Sequence, residues 1–202
     1  MREHLLPALR ATVVTLVLTG VLYPLAVTGV AQVLFPRRAS GSLVSTEGGR
    51  VVGSELIAQG FSGPGYFQPR PSAAGDKGYD PMSSGGSNLG PTSKKLHDGV
   101  AQAVDKLRAD NPGAPGPVPV ELATASGSGL DPHLSPQAAL WQVARVARAR
   151  GVAESRVRAA VQDAVEGRDA GIFGEPRVNV LLLNLQLDRQ FGAPGTPGSG
   201  YH

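Results

Sequence analysis

The chain has 202 residues, with 27 Gly, 17 Pro, no cysteine and a formal net charge of +3. The missing thiols exclude disulfides, iron–sulfur clusters and thiolate zinc sites. The small, scattered positive charge argues against a nucleic-acid groove or a polybasic lipid-binding face.

From Ala11 to Phe35 the chain carries no charged side chain. As a helix rising about 1.5 Å per residue it would reach about 37 Å, enough to cross a bilayer core of about 30 Å. A secretory signal core is shorter and ends in small residues, whereas this run ends in Phe35-Pro36-Arg37; an uncleaved anchor is expected. Arg2 and Arg10 on one side nearly balance Arg37, Arg38 and Arg50 on the other, so charge bias leaves the orientation open. Thr12, Thr15, Thr19, Tyr23 and Ala26 follow at spacings of three or four and so fall on one helical face. Such a small, hydroxylated stripe suits docking against another membrane helix, or each threonine bonds a carbonyl of its own helix. Pro24 removes a donor near the middle and is expected to bend the rod.

Beyond the anchor, residues 36–191 form one domain of ordinary size, preceded by a tail at 1–10 and followed by a polar tail at 192–202 with the composition of disorder. Ser42 to Thr46 and Arg50 to Ser54, joined by Glu47-Gly48-Gly49, read as a hairpin. Gln59 to Ser93 has almost no period, yet holds Phe61, Tyr66, Phe67 and Tyr79, which a mere linker lacks. A helix starts at Ser93, with Leu96, Val100, Val104 and Leu107 on one stripe, and ends at Asn111-Pro112. Val118 to Thr124 reads as a strand. Ser135-Pro136 opens a helix expected to run to Arg150 and close at Gly151, and another is expected over Glu154 to Glu166. Val178 to Asp188 fits a half-buried strand or a helix capped by Asn179; the helix is preferred. The fold class is α+β: one membrane helix and a loop-rich domain with a hairpin and three to four helices.

The chemistry is sparse. His4, His97, His133 and His202 lack metal-ligand spacing, so no metal site is expected. Neither Ser62 to Gly65 nor Ser126 to Gly129 forms a lysine-bearing phosphate loop. Around Ser93-Lys94-Lys95 the Ser-x-x-Lys spacing would put Thr92 in the serine position, and Lys-Thr-Gly is absent. An anchored exterior hydrolase is therefore the weaker alternative.

Longer strings carry more. Tyr66 to Ser93, Val118 to Gly151 and Val178 to Asp188, with Tyr23-Pro24 in the anchor and the GSLV and VVGSELIAQ segments, closely resemble the C-subunit family of the Kdp potassium-transporting P-type ATPase, over residues 5 to 191. The resemblance implies a cell-membrane complex in which a channel-like subunit conducts potassium and a P-type subunit hydrolyses ATP. In it this chain would be a non-catalytic accessory subunit with its N-terminus cytoplasmic and its domain outside. It also implies a catalytic chaperone raising ATP affinity, with Gln59 as the nominated nucleotide contact and ATP held with the hydrolysing subunit. Tyr66, Phe67 and Arg70 are then nominated as partner contacts, or they pack the loop onto its own domain.

Overall fold

The computed structural model describes residues 2–46 and 48–194, so most of the expected C-terminal tail lies outside the described residues. They fall into two units divided between Leu43 and Val44.

The first unit is a rod. Helix α1 (Arg2–Val17) passes through a π-helical segment (Leu18–Leu22) into α2 (Tyr23–Leu34). Glu3–Leu34 is long and apolar enough to cross a membrane, and no part of its most apolar stretch is buried within the chain. The π segment lies just before Pro24. There the Tyr23 N–H donates to the Leu18 carbonyl, five residues back, where a regular helix would use the fourth. Proline has no N–H and its ring crowds the carbonyl four residues earlier, so the widened turn absorbs it within a continuous helix. At Phe35 the backbone leaves the helical region (φ −137°, ψ 53°), as the residue before a proline tends to, and Pro36 opens the short α3 (Pro36–Ala39).

The division falls within the hairpin of β1 (Leu43–Ser45) and β2 (Val51–Ser54), which the two Val-rich runs foretold, so the second unit opens at Val44. Gly49 in its turn has φ +76°. No helix or ladder strand follows until α4 (Lys94–Asp110), capped by the Ser93 hydroxyl accepting from Leu96 N–H and closed at Asn111. The expected strand at Val118 to Thr124 is instead a single helical turn, α5 (Val120–Ala123), started by Pro119. Among the described residues no strand pairs with this segment, and the helical turn buries Leu122 and Ala123.

β3 (His133–Leu134) leads to Ser135, whose hydroxyl caps α6 (Pro136–Trp141) by accepting from Ala138 N–H. The expected continuous helix to Arg150 is broken at Gln142, and α7 (Val143–Arg150) continues to Gly151, left-handed at φ +66°. Helix α8 (Glu154–Asp163) stops short of Glu166, because Val165 and Glu166 form β4 (Val165–Glu166). β5 (Arg177–Asn179) lies between β3 and β4, antiparallel to both, with Val178 opposite Leu134 on one side and Val165 on the other. The ambiguous last run is both structures in turn: it begins in β5, and Asn179 caps α9 (Val180–Phe191), its side chain accepting from Leu182 N–H. Leu183, Leu187, Val157, Val161, Val143, Val146 and Phe67 form the interior between α9, α8, α7 and the long loop.

Candidate functional site

Two features stand out: a groove on the rod and the fastening of the irregular loop. On the rod, Ala11, Thr12, Thr15, Leu16 and Thr19 line one shallow groove. The Thr12 hydroxyl donates to the Ala8 carbonyl (2.9 Å) and the Thr19 hydroxyl to the Thr15 carbonyl (2.8 Å). With these protons spent inside the helix, Thr12 and Thr19 offer a partner small shape and acceptor lone pairs. Tyr23 is exposed and outside the groove. The π turn before it takes an extra residue and shifts the phase of the face, which the three-and-four spacing assumed constant.

The loop after Phe61 is held by side chains that take the place of a neighbouring strand. Asn184, fully buried on α9, accepts from Phe67 N–H (2.8 Å) and donates to the Phe67 carbonyl (3.0 Å). Gln142, at the break between α6 and α7, does the same for Gln68, at 2.9 and 3.0 Å. That task explains the break: a buried glutamine aimed at an incoming strand-like segment outweighs one more regular turn.

Two arginines complete the fastening. Arg145 donates to the Pro64 and Tyr66 carbonyls, to Asn111 Oδ1 and to Gln142 Oε1. Burial pulls its guanidinium down to about 10, so it stays charged at neutral pH. Arg150, its side chain 1% exposed, donates to the Gly65 and Gly192 carbonyls and to Asp188 Oδ1, and lies over the Tyr66 ring at 5.1 Å.

Tyr66 and Phe67 are therefore corrected as surface contacts. They are 4% and 0% exposed, and they pack this domain's own interior because amides and guanidiniums draw their backbone inward. Arg70 keeps a partly exposed side chain, reaching Asp131 Oδ2 (3.4 Å) and the Ala125 carbonyl (3.3 Å). Hydrogen bonds from His133, with the Arg70 charge adding, outweigh burial and hold the Asp131 carboxyl below its ordinary range. Tyr79 donates to the Arg70 carbonyl (2.8 Å), and burial pushes its phenol up to about 12.

Gln59 is half-buried beside β2. An added Cβ on Gly53 would come within 2.2 Å of Gln59 Oε1, so the amide lies over the glycine; its buried Nε2 has no hydrogen-bond partner. A cleft of about 520 Å³ lies between the loop and α4, walled by Phe61, Pro69, Pro71, Leu107 and Arg145, and Gln59 does not line it. Among the described residues no cluster of three or more His, Cys, Asp or Glu could hold a metal ion.

Residue reading passed over Gln142, Arg145, Arg150 and Asn184. A signal existed for the last: Asn184 occupies an apolar face of α9 with Val180, Leu181 and Leu187, and a polar residue in such a position needs a buried partner.

The rod and the fastened loop together define a class: a mixed α+β domain following an N-terminal helix able to span a bilayer. The family model described as KdpC, K+-transporting ATPase, c chain, matches residues 5–189. Proteins named potassium-transporting ATPase KdpC subunit are 65% identical in Myxococcus xanthus, covering 96% of this chain and 93% of the relative. The values are 56% in Rhodospirillum rubrum (95% and 98%) and 55% in Nitratidesulfovibrio vulgaris (91% and 94%). The chain belongs to the KdpC family.

Proposed function

We propose that this chain is the accessory C subunit of an ATP-driven potassium-uptake complex, bound in the membrane to a channel-like subunit and an ATP-hydrolysing subunit. The family match over nearly the whole chain carries this reading, since relatives at 52–65% identity all bear the KdpC subunit name. The chain does no chemistry itself and has no Asp-Lys-Thr-Gly string for an aspartyl-phosphate. Its rod anchors it with the N-terminus cytoplasmic and the domain outside. The test is uptake: cells lacking the chain should lose high-affinity potassium transport and regain it on complementation, and undiminished uptake without it would overturn the reading.

The subunit also raises the ATP affinity of its hydrolysing partner, in this reading through the packed membrane helices and not through a nucleotide held outside. Coupling needs only that the chain bind one state of its partner better than another. Full-length chain in detergent, titrated with ATP to millimolar concentration, should show no saturable binding. Adding it to the hydrolysing subunit should lower that subunit's apparent KM for ATP. Saturable binding by the chain alone, abolished by Gln59→Ala, would instead restore Gln59 as a nucleotide contact.

A further inference from the structure

Between β4 and β5 the chain makes an excursion, residues 167–176, that carries two exposed apolar side chains: Ile172 at 70% and Phe173 at 67% exposure. The segment is held by its own backbone. Asp169 and Phe173 exchange both backbone hydrogen bonds (2.8 and 2.9 Å), Ile172 N–H also donates to the Asp169 carbonyl (3.2 Å), and Gly171 N–H donates to Arg168 (3.1 Å). Ala170 is held left-handed at φ +52°, a conformation that non-glycine residues adopt only where their surroundings impose it.

Below the tip the stem is laced by charge. Arg168 grips both oxygens of Glu175 at 2.9 and 2.8 Å. Arg177 reaches Glu166 (3.1 Å) and Asp169 (3.4 Å). The Glu166–Arg177 pair also joins the strands directly, so the stem continues the three-stranded sheet.

We infer that this loop is a preformed docking finger whose Ile172 and Phe173 enter an apolar pocket on a neighbouring protein subunit of the same complex. The inference rests on the subunit reading above. Rigid display of an aromatic anchor lowers the ordering cost of association and is what interface centres use. Charge selects protein over lipid. A loop that dips into a bilayer surface gains from free basic residues facing anionic headgroups. Here Glu166, Asp169 and Glu175 outnumber Arg168 and Arg177, and both arginines are already engaged. The complementary site has an apolar floor and a rim that is neutral or basic.

The test uses the assembled complex in native membranes, with the photoreactive residue p-benzoylphenylalanine replacing Phe173. Illumination should yield one adduct to a protein subunit, mapped by mass spectrometry; adducts to lipid alone, or none, would overturn the finger. In parallel, Ile172→Ser/Phe173→Ser should speed dissociation from the purified complex at least tenfold while leaving the melting temperature of the chain alone unchanged, since both side chains are exposed. Unaltered dissociation would count equally against it. If the unsubstituted chain fails to co-purify with any subunit, the subunit reading falls and the finger with it; if the chain co-purifies but position 173 yields only lipid adducts or none, the finger alone is overturned.

Discussion

At Asn184 one side chain satisfies both the donor and the acceptor of Phe67 inside the core. Asn184→Leu keeps the size and strands both backbone groups, at about 1–3 kcal/mol each. Thermal unfolding of the full-length chain in detergent should show a loss of roughly 2–6 kcal/mol, and Asn184→Asp, whose ionised carboxylate would be buried facing the Phe67 carbonyl with no proton to donate, should lose at least as much. Glycines divide by their surroundings. Gly129, at φ +69°, would put an added Cβ 2.7 Å from the Gly85 carbonyl oxygen and 2.8 Å from Ala74 N, whereas Gly151 at φ +66° has open space around it. Gly151→Ala should cost about 1 kcal/mol from backbone strain alone, and Gly129→Ala clearly more, measurable as a larger fall in melting temperature. Tyr79 offers a pH test. Its folded phenol titrates near 12 and the unfolded one near 10, so its contribution is whole below pH 10 and is lost as pH rises toward 12. The melting temperature should drop more steeply across that window in the unsubstituted chain than in Tyr79→Phe; parallel curves would contradict the burial of the phenol.

Among the elements, those with local causes were legible in the residues. Ser93, Ser135 and Asn179 each cap the helix their side chain announces, and Gly151 ends α7. What stayed hidden depended on distant partners. β4 exists because Val178 faces Val165, and the break at Gln142 exists because Gln68 arrives from 74 positions away. Tyr66 and Phe67 stayed open between partner contact and packing for the same reason: nothing adjacent in sequence says that Asn184 and Arg150 will pull the loop inward. The rod's π turn follows from Pro24, but the phase of the threonine face is set by the widened backbone and not by residue spacing. The groove of Thr12, Thr15 and Thr19 has its own test. Thr15→Leu/Thr19→Leu fills the space a neighbouring helix would use, so co-purification of the complex from detergent should weaken; an intact complex would leave those threonines as helix-internal bonders.

For the molecule as a whole, the absence of cysteine makes topology directly measurable. Met82, 91% exposed, can become the single thiol as Met82→Cys without touching the core. A membrane-impermeant maleimide should label it in intact cells; labelling only after lysis would reverse the proposed orientation. The family was legible in the long strings that run from the anchor through Val178 to Asp188, while the surfaces that meet other subunits were not, because exposed side chains are set by neighbours this chain does not contain. The fastening of the loop has one last consequence. Its tethers are mostly guanidinium to carbonyl and amide to amide, the central ones partly or fully buried, and their one ion pair, Arg150–Asp188, is itself largely buried. Small mobile ions weaken attraction between charges that water can reach and hardly touch those it cannot. The domain should hold its shape in dilute water and in brine alike, a useful indifference for a chain proposed to sit beside a pump that changes the cation content of its surroundings.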